Sequence, residues 1–558
     1  MTTKKSSIEE SSLYSEDLAP IPHEKRTWSL WDMTAIWVGM AVCIPTYLLA
    51  SYMIRGGLNW LEALIIIALG NLIITIPMVL NGHGGVKYGI PFPVIGRSSF
   101  GTKGIHIPAI VRGIVACGWF GIQTWIGGLA FYAIWHALSG TNPNLGLDFG
   151  KFIGFALFWF LNVFFIWKGT ESIKWLEKFA APILIGLGLA LIIWGTQSVG
   201  NFTTVLDQSQ QLSQPAAVFS KDRSSISIFP SKDQNGQIKA NEFALIYNDD
   251  VQTKDWRPVT QYGQIIAFAN ETQNTNPTSI IFRNNEYTSS VVSISAPRER
   301  VGFWDKLWTY LLSLTAMVGF WATMAISIAD ITRFTPTQRN QILGQFLGLP
   351  GTMALFSFVG IFVTCAAIAI FPDVLVAHDA PWDPVSLVGK FNNPMLVVIA
   401  QIFLIIATLS TNIAANVIAP ANAFSNVAPN KISFRSGGLI TAIIGIVICP
   451  WWIMDEISGL LVFVSGLLGP VLGILICDYF SIRKKKLNVN DLFNEDGPFN
   501  YGGHGIHIKG MIALGIGVLV ALIGYWVPAL NFLYTLSWFI GFFISYAVYY
   551  LLMSREKI

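Results

Sequence analysis

The first thing this chain lacks is charge. Lys, Arg, Asp and Glu make up 12% of 558 residues, against 53% hydrophobic residues, about half the charge of an ordinary soluble domain. Such a chain cannot cover a globular surface with polar groups, so its solvent is largely lipid. It also lacks a basic excess: the net charge of +3 is scattered in short clusters, which excludes a nucleic-acid stripe. The five cysteines (Cys43, Cys117, Cys365, Cys449, Cys477) lie in apolar runs with neither CxxC spacing nor nearby histidines, so neither a zinc site nor a disulfide framework is expected. No apolar core precedes a small-residue cleavage site in the first 28 residues, and this stretch is expected to be a cytoplasmic tail rather than a secretory signal.

What is present is a series of long apolar runs. A membrane helix needs about 20 such residues, and candidates fall at 29–54, 59–81, 106–137, 151–169, 178–199, 305–330, 341–371, 394–420, 436–454, 457–481, 509–528 and 531–553. This predicts an all-α integral membrane protein of about twelve spans. Short loops carrying Lys25, Arg26, Lys87, Arg97, Lys103, Lys168, Arg333, Arg339, Lys431, Arg435 and the run Arg483–Lys486 alternate with loops poor in basic residues. By the positive-inside rule, both termini are then expected in the cytoplasm. Parity places the long polar segment 200–304 outside. Its alternating stretches, such as Ser224–Phe229 and Thr288–Ile294, suit a small β-rich cap, and its sparse apolar content equally suits an insert without one. A basic loop, 482–508, precedes the last two spans and short tail, 509–558.

Three spans carry candidate chemistry. In the first, Gly39 and Pro45 weaken the helix at mid-depth, and Gly319–Thr323 in the sixth matches it five spans later. Paired interruptions of this kind flank the midplane site of inverted-repeat transporters, although a lone proline more often only bends a helix. The third span holds Trp119 and Gln123 at i and i+4, an aromatic platform beside a side chain offering a donor and an acceptor together. Such an edge matches an imide, a lactam or a nucleobase, and it serves as well to join helices. The eighth span places Ala407, Ser410 and Thr411 on one face, where two hydroxyls and a carbonyl suit a hard cation. The same hydroxyls can instead bond back to their own helix. Asp32, Arg112, Asp330 and Asp478 lie toward span ends, leaving no mid-depth carboxylate as a proton carrier. Sodium is therefore favoured over a proton, with Glu62 and His136 keeping a relay open.

Ala35–Tyr47, Asn81–Pro93, Trp119–Trp125, Asp330–Phe334 and Ser410–Asn416 together resemble the nucleobase:cation symporter-1 family, from about Asp17 to the last span. The resemblance implies a fold of the sodium-coupled leucine transporter type: inverted five-helix repeats over 29–199 and 305–454, the latter continuing to 481, two additional helices, and broken first and sixth spans. It implies that Trp119 and Trp321 sandwich a heterocycle whose polar edge meets Gln123 and Asn416. Sodium, the coupling ion, would take the carbonyls of Gly39, Val42 and Ala407 and the hydroxyls of Ser410 and Thr411. Cys43 and Phe320 occupy pocket positions where the resemblance leads one to expect Gln and Gly, and Ser327–Asp330 replaces an Asn-Ile-Pro-Asp sequence. The expected function is symport of a uracil-like nucleobase. The alternatives are an allantoin or hydantoin permease, or a membrane sensor that binds such a ligand without moving it. No nucleophile–base pair or metal cluster appears, so neither an enzyme nor a cofactor is expected, and the expected partners are a small heterocycle and the lipid bilayer.

Overall fold

The computed structural model describes residues 8–141, 146–247, 255–267, 276–296, 302–454 and 457–556, with the side chains of 170–181, 184 and 458 outside the description. The first seven residues of the N-terminal tail thus lie outside it. Helix α1 (Leu30–Ala41) opens on a capping box in which Ser29 and Asp32 each accept the other's backbone N–H, satisfying two donors that a helix start leaves orphaned. It meets α2 (Ile44–Arg55) at a bend of 55°. Pro45 lies in the first turn of α2, where a missing N–H costs nothing. The chain breaks just before it, at Val42 and the extended Cys43.

Next come α3 (Trp60–Tyr88), α4 (His106–Ser139), α5 (Phe149–Lys168) and α6 (Thr170–Val199). After the insert follow α7 (Phe303–Phe320), α8 (Ala322–Ser327), α9 (Gln338–Ile370), α10 (Pro394–Asn416), α11 (Ile418–Val427) and α12 (Phe434–Val447). The last are α13 (Ile457–Ile476), running into a π-helical turn at Cys477–Ile482, then α14 (Ile508–Trp526) and α15 (Ser537–Met553).

Among the described residues seven helices are long and apolar enough to cross a membrane, or ten if each of three bent pairs is one span. The other two expected spans differ from a plain helix. Span 305–330 is broken at Trp321, between α7 and α8. Span 436–454 ends at Val447, and Cys449, at φ 54°, separates it from a short helix at Pro450–Ile453. Three boundaries also move: the second span runs on to Tyr88, the fifth starts at Thr170, and the eighth breaks at Val417 between α10 and α11. Hydropathy marks where apolar residues stop, whereas a helix continues into polar sequence until something caps it. On α5, Leu157, Phe160 and Phe164 are exposed while Phe155, Phe158, Asn162 and Ile166 are buried, the pattern of a helix with one face to lipid.

The 200–304 segment forms two antiparallel sheets. β1 (Ala217–Phe219), β2 (Ser225–Ile228) and β5 (Gln264–Ala267) make one, in the order β1-β2-β5. β3 (Glu242–Ile246), β4 (Arg257–Pro258), β6 (Ser279–Arg283) and β7 (Val292–Ser293) make the other, in the order β4-β3-β6-β7. Its apolar core includes Ile226, Ile228, Phe243, Ile280 and Phe282 and is completed by Leu375 and Val376, from the loop after α9. Lys239 donates to the Ile368 and Phe371 carbonyls at the end of α9. Asp379 accepts the backbone N–H groups of Ser290, Leu375 and Val376.

Candidate functional site

The breaks in the first and sixth spans face a common cavity. It is lined by Met40, Cys43, Trp119, Gln123, Phe320, Trp321, Thr323, Met324, Thr411, Ala415 and Asn416, drawn from α1, the α1–α2 break, α4, α7, α8 and α10. All six residues proposed from the sequence for the heterocycle are here. Met40, Thr323, Met324 and Ala415 were not read as site residues, since nothing local distinguishes them from core.

The cavity measures about 20 Å³, room for little more than one water. Phe320 is the reason. Its ring lies edge-on to Trp119 at 5.3 Å and edge-on to Trp321 at 5.1 Å, so the two tryptophans expected to sandwich a ligand both press on this phenyl ring. Trp321 is held from behind by an edge contact with Trp37 at 5.3 Å. The structure thus shows a closed pocket, and a ring-sized ligand requires Phe320 to leave.

Polar groups converge on the same space. Gln123 is buried with its carbonyl oxygen unpartnered, a state costing about 1–3 kcal/mol unless something donates to it. Asn416 gives one amide proton to Asn412 at 3.0 Å. Asn412 in turn donates toward the Phe120 carbonyl, the Thr124 hydroxyl and Asn162. This hub fixes the orientation of Asn416, and sequence reading missed its role because the groups Asn412 donates to lie on two other helices, α4 and α5. Close packing helps: a side-chain carbon on Gly121 would sit 2.4 Å from the Gly445 carbonyl, so only glycine lets α4 approach α12 this closely.

Around the broken sixth span, side chains from other helices bond its carbonyls. Arg112 Nε donates to the Thr323 carbonyl at 3.2 Å, and Asn81 Nδ2 donates to Ala325 and Ile326 at 2.8 and 2.7 Å. Arg112, placed toward a span end by the sequence, is therefore bonded to the pocket wall. Asp330 accepts the Phe92 N–H at 2.9 Å, and Thr332 donates to the Gly82 carbonyl at 2.9 Å, which ties the Asn81–Pro93 and Asp330–Phe334 stretches together.

Beside the pocket, Cys43 N–H turns to the Ala41 carbonyl at 3.0 Å, which deprives the Gly39 carbonyl of its usual i+4 donor. The Thr411 hydroxyl donates to Gly39 instead, at 2.8 Å. The neighbouring Ser410 hydroxyl is fully buried and unpartnered. A freed carbonyl with a hydroxyl bonded to it, and an orphaned hydroxyl on the adjacent residue, are oxygens of the kind a hard cation uses. Glu62 and His136 belong elsewhere: Glu62 caps α3 and pairs with Lys306 and Tyr310, and the half-buried His136 bonds Thr141 at the end of α4.

A second cavity of about 850 Å³ opens beside Lys25, Lys168 and Arg435 and reaches in to Ile36, Ala414 and Asp330. Ala415 lines the central pocket and Ala414 this vestibule, so little more than the thickness of α10 separates them.

Residues 20–224 and 293–541 match the profile of permeases for cytosine/purines, uracil, thiamine and allantoin. The chain belongs to this family, the nucleobase:cation symporter-1 permeases. The permease is 32% identical to an allantoin permease of Bacillus subtilis, over 99% of this chain and 96% of that one. It is 33% identical to a purine-uracil permease of Arabidopsis thaliana, over 98% of this chain and 78% of that one. Among solved structures it is similar to Mhp1, a family transporter in a closed conformation with bromovinylhydantoin bound, at TM-score 0.68 and 20% identity over 97% and 96% of the two chains. The fold of the permease is thus the inverted-repeat type of the sodium-coupled leucine transporters, and the protein is an integral membrane transporter, not an enzyme.

Proposed function

We propose that the permease imports a neutral, planar, uracil-like nitrogen heterocycle together with sodium, by alternating access. The observation that carries this is the convergence of Trp119, Trp321, Gln123 and Asn416 on one buried cavity. Flat rings offer stacking faces, while the unpartnered Gln123 carbonyl and the restrained Asn416 amide present the complementary edge of an imide or lactam. Among the described residues no Lys, Arg, Asp or Glu lines the cavity, which suits a neutral ligand. Sodium would take the carbonyls of Gly39, Val42 and Ala407 and the hydroxyls of Ser410 and Thr411, a reading supported by the Thr411–Gly39 contact and the orphaned Ser410 hydroxyl. Ion binding there links α1 to α10, one element on each side of the pocket, and completes the site before the bundle rocks. With both termini cytoplasmic, the vestibule at Asp330 is the inner exit and the β-rich insert lies outside.

The similarity to an allantoin permease and to the hydantoin-bound transporter favours ureides and hydantoins as the second reading. Thermal-shift screening of the purified permease against uracil, cytosine, allantoin and hydantoins, in sodium or in choline at equal ionic strength, separates these. Stabilisation by one heterocycle only in sodium supports coupled binding. Equal stabilisation in both salts refutes the sodium part, and no stabilisation by any of them refutes the substrate class. Trp119→Ala and Asn416→Ala are expected to abolish most of the shift. Uptake of the labelled heterocycle into vesicles distinguishes a transporter from a sensor.

A further inference from the structure

The mouth of the 850 Å³ vestibule is lined by Lys25, Lys168 and Arg435. All three are exposed, and none has a carboxylate partner among the described residues. Two are gathered on one patch by their rings. The Arg435 guanidinium lies over the Trp167 ring, 5.9 Å from its centre, and the Lys168 ammonium lies over Phe164 at 5.5 Å. The carboxylates of the vestibule are placed differently. Asp17 accepts the Phe434 N–H at 2.8 Å, and Asp330 is buried deep in the cavity on the Phe92 N–H. Among the described residues Glu16 and Asp17 are the acids near the mouth, against the three bases Lys25, Lys168 and Arg435.

We propose that this patch is a binding site for the headgroup phosphate of an anionic phospholipid. The cations sit where α5 ends and α12 begins, and the α5 face leading to them is apolar and open: Phe160, Phe164 and Trp167 are 64%, 53% and 58% exposed. A free phosphate uses the cations alone, whereas a lipid uses both surfaces, with its phosphate at Lys168 and Arg435 and its chains along those rings. Basic residues close to a membrane surface each contribute about 1 kcal/mol toward anionic lipid, and rings flanked by cations are typical of the interface. Because Lys168 ends α5 and Arg435 begins α12, a lipid bound here bridges the two helices at the rim of the vestibule. The inference rests on the cytoplasmic placement of this face proposed above.

The test uses the full chain in nanodiscs of phosphatidylcholine, with and without phosphatidylglycerol. Phosphatidylglycerol is expected to raise the transition temperature by about 2–4 °C and to give one additional retained lipid by native mass spectrometry. The Lys168→Gln/Arg435→Gln variant is expected to lose both effects while keeping the wild-type transition in phosphatidylcholine, and Lys168→Arg/Arg435→Lys is expected to restore them. Inorganic phosphate added to phosphatidylcholine discs is expected to do nothing. An equal phosphatidylglycerol effect in the Gln variant, or an equal effect of inorganic phosphate, overturns the proposal. Heterocycle stabilisation, measured separately in phosphatidylcholine, reports on the central pocket and is independent of either result.

Discussion

Replacing Phe320 by alanine tests whether this one ring sets the size of ligand the permease accepts. Phe320 makes edge contacts with both Trp119 and Trp321, each worth about 0.5–1.5 kcal/mol beyond burial. With room for about one water in the pocket, a heterocycle enters only after both contacts break, so opening costs the wild-type protein about 1–3 kcal/mol. The alanine variant has no such cost. It is expected to bind a bulky 5-substituted uracil or hydantoin about 5- to 150-fold more tightly than the wild type. The unsubstituted ring gains less, because the phenyl group, once displaced, still supplies contact to a small ligand. The unliganded variant is expected to be less stable by about 3–5 kcal/mol, the usual loss for a buried Phe→Ala, so its transition temperature falls even as affinity rises. Titration calorimetry with matched substituted and unsubstituted ligands, together with thermal unfolding of the unliganded protein, measures both. An unchanged or lower ratio of bulky to small affinity in Phe320→Ala refutes the assignment of Phe320 as the filler of the site.

Three further outcomes follow from particular contacts. Asn412→Ala removes the acceptor that orients Asn416 and the donor shared by Phe120, Thr124 and Asn162; at about 0.5–1.5 kcal/mol per hydrogen bond, substrate affinity is expected to fall at least tenfold, and binding that matches wild type contradicts the hub. Thr411→Ala and Ser410→Ala are expected to raise the sodium concentration for half-maximal stabilisation while leaving heterocycle affinity at saturating sodium within a few-fold, as read by a sodium titration at fixed ligand. In the insert, burial pushes the Lys239 ammonium down to about 8 from its ordinary 10.5. The undocked lysine therefore holds its proton more tightly than the docked one, so docking strengthens as pH rises from about 7 toward 10. Hydrogen exchange of β2 and β6 is expected to slow, after correction for intrinsic rates, in the wild type and not in Lys239→Met.

The limits of the linear sequence show in individual residues. Trp119 and Gln123 were legible as a pair because i and i+4 positions share a helix face whatever surrounds them, and the same logic placed Ser410 beside Ala407 and Thr411. Phe320 was visible only as a large residue at a pocket position; its contact with both tryptophans depends on how the α7–α8 break points toward α4. Asn412 gave no signal of its own, since its partners lie on α4 and α5. Arg112 lies near the start of α4, as the sequence placed it, but its bond to the Thr323 carbonyl at the pocket wall was not legible because that carbonyl belongs to another helix. For the insert, alternation suggested strands, but the register, and the use of Leu375 and Val376 to complete its core, belong to a loop more than eighty residues away in the chain.

By itself, then, the sequence determined the solvent, the positions of the apolar spans and the residue types of the site, because hydropathy, helical spacing and residue chemistry are properties of short stretches. The tertiary structure alone decided that the breaks in the first and sixth spans face one cavity, that Phe320 closes it, that the freed Gly39 carbonyl meets Thr411, and that a basic rim borders the vestibule. Each of these joins residues hundreds of positions apart, and only packing of the helices brings them within hydrogen-bonding or van der Waals reach.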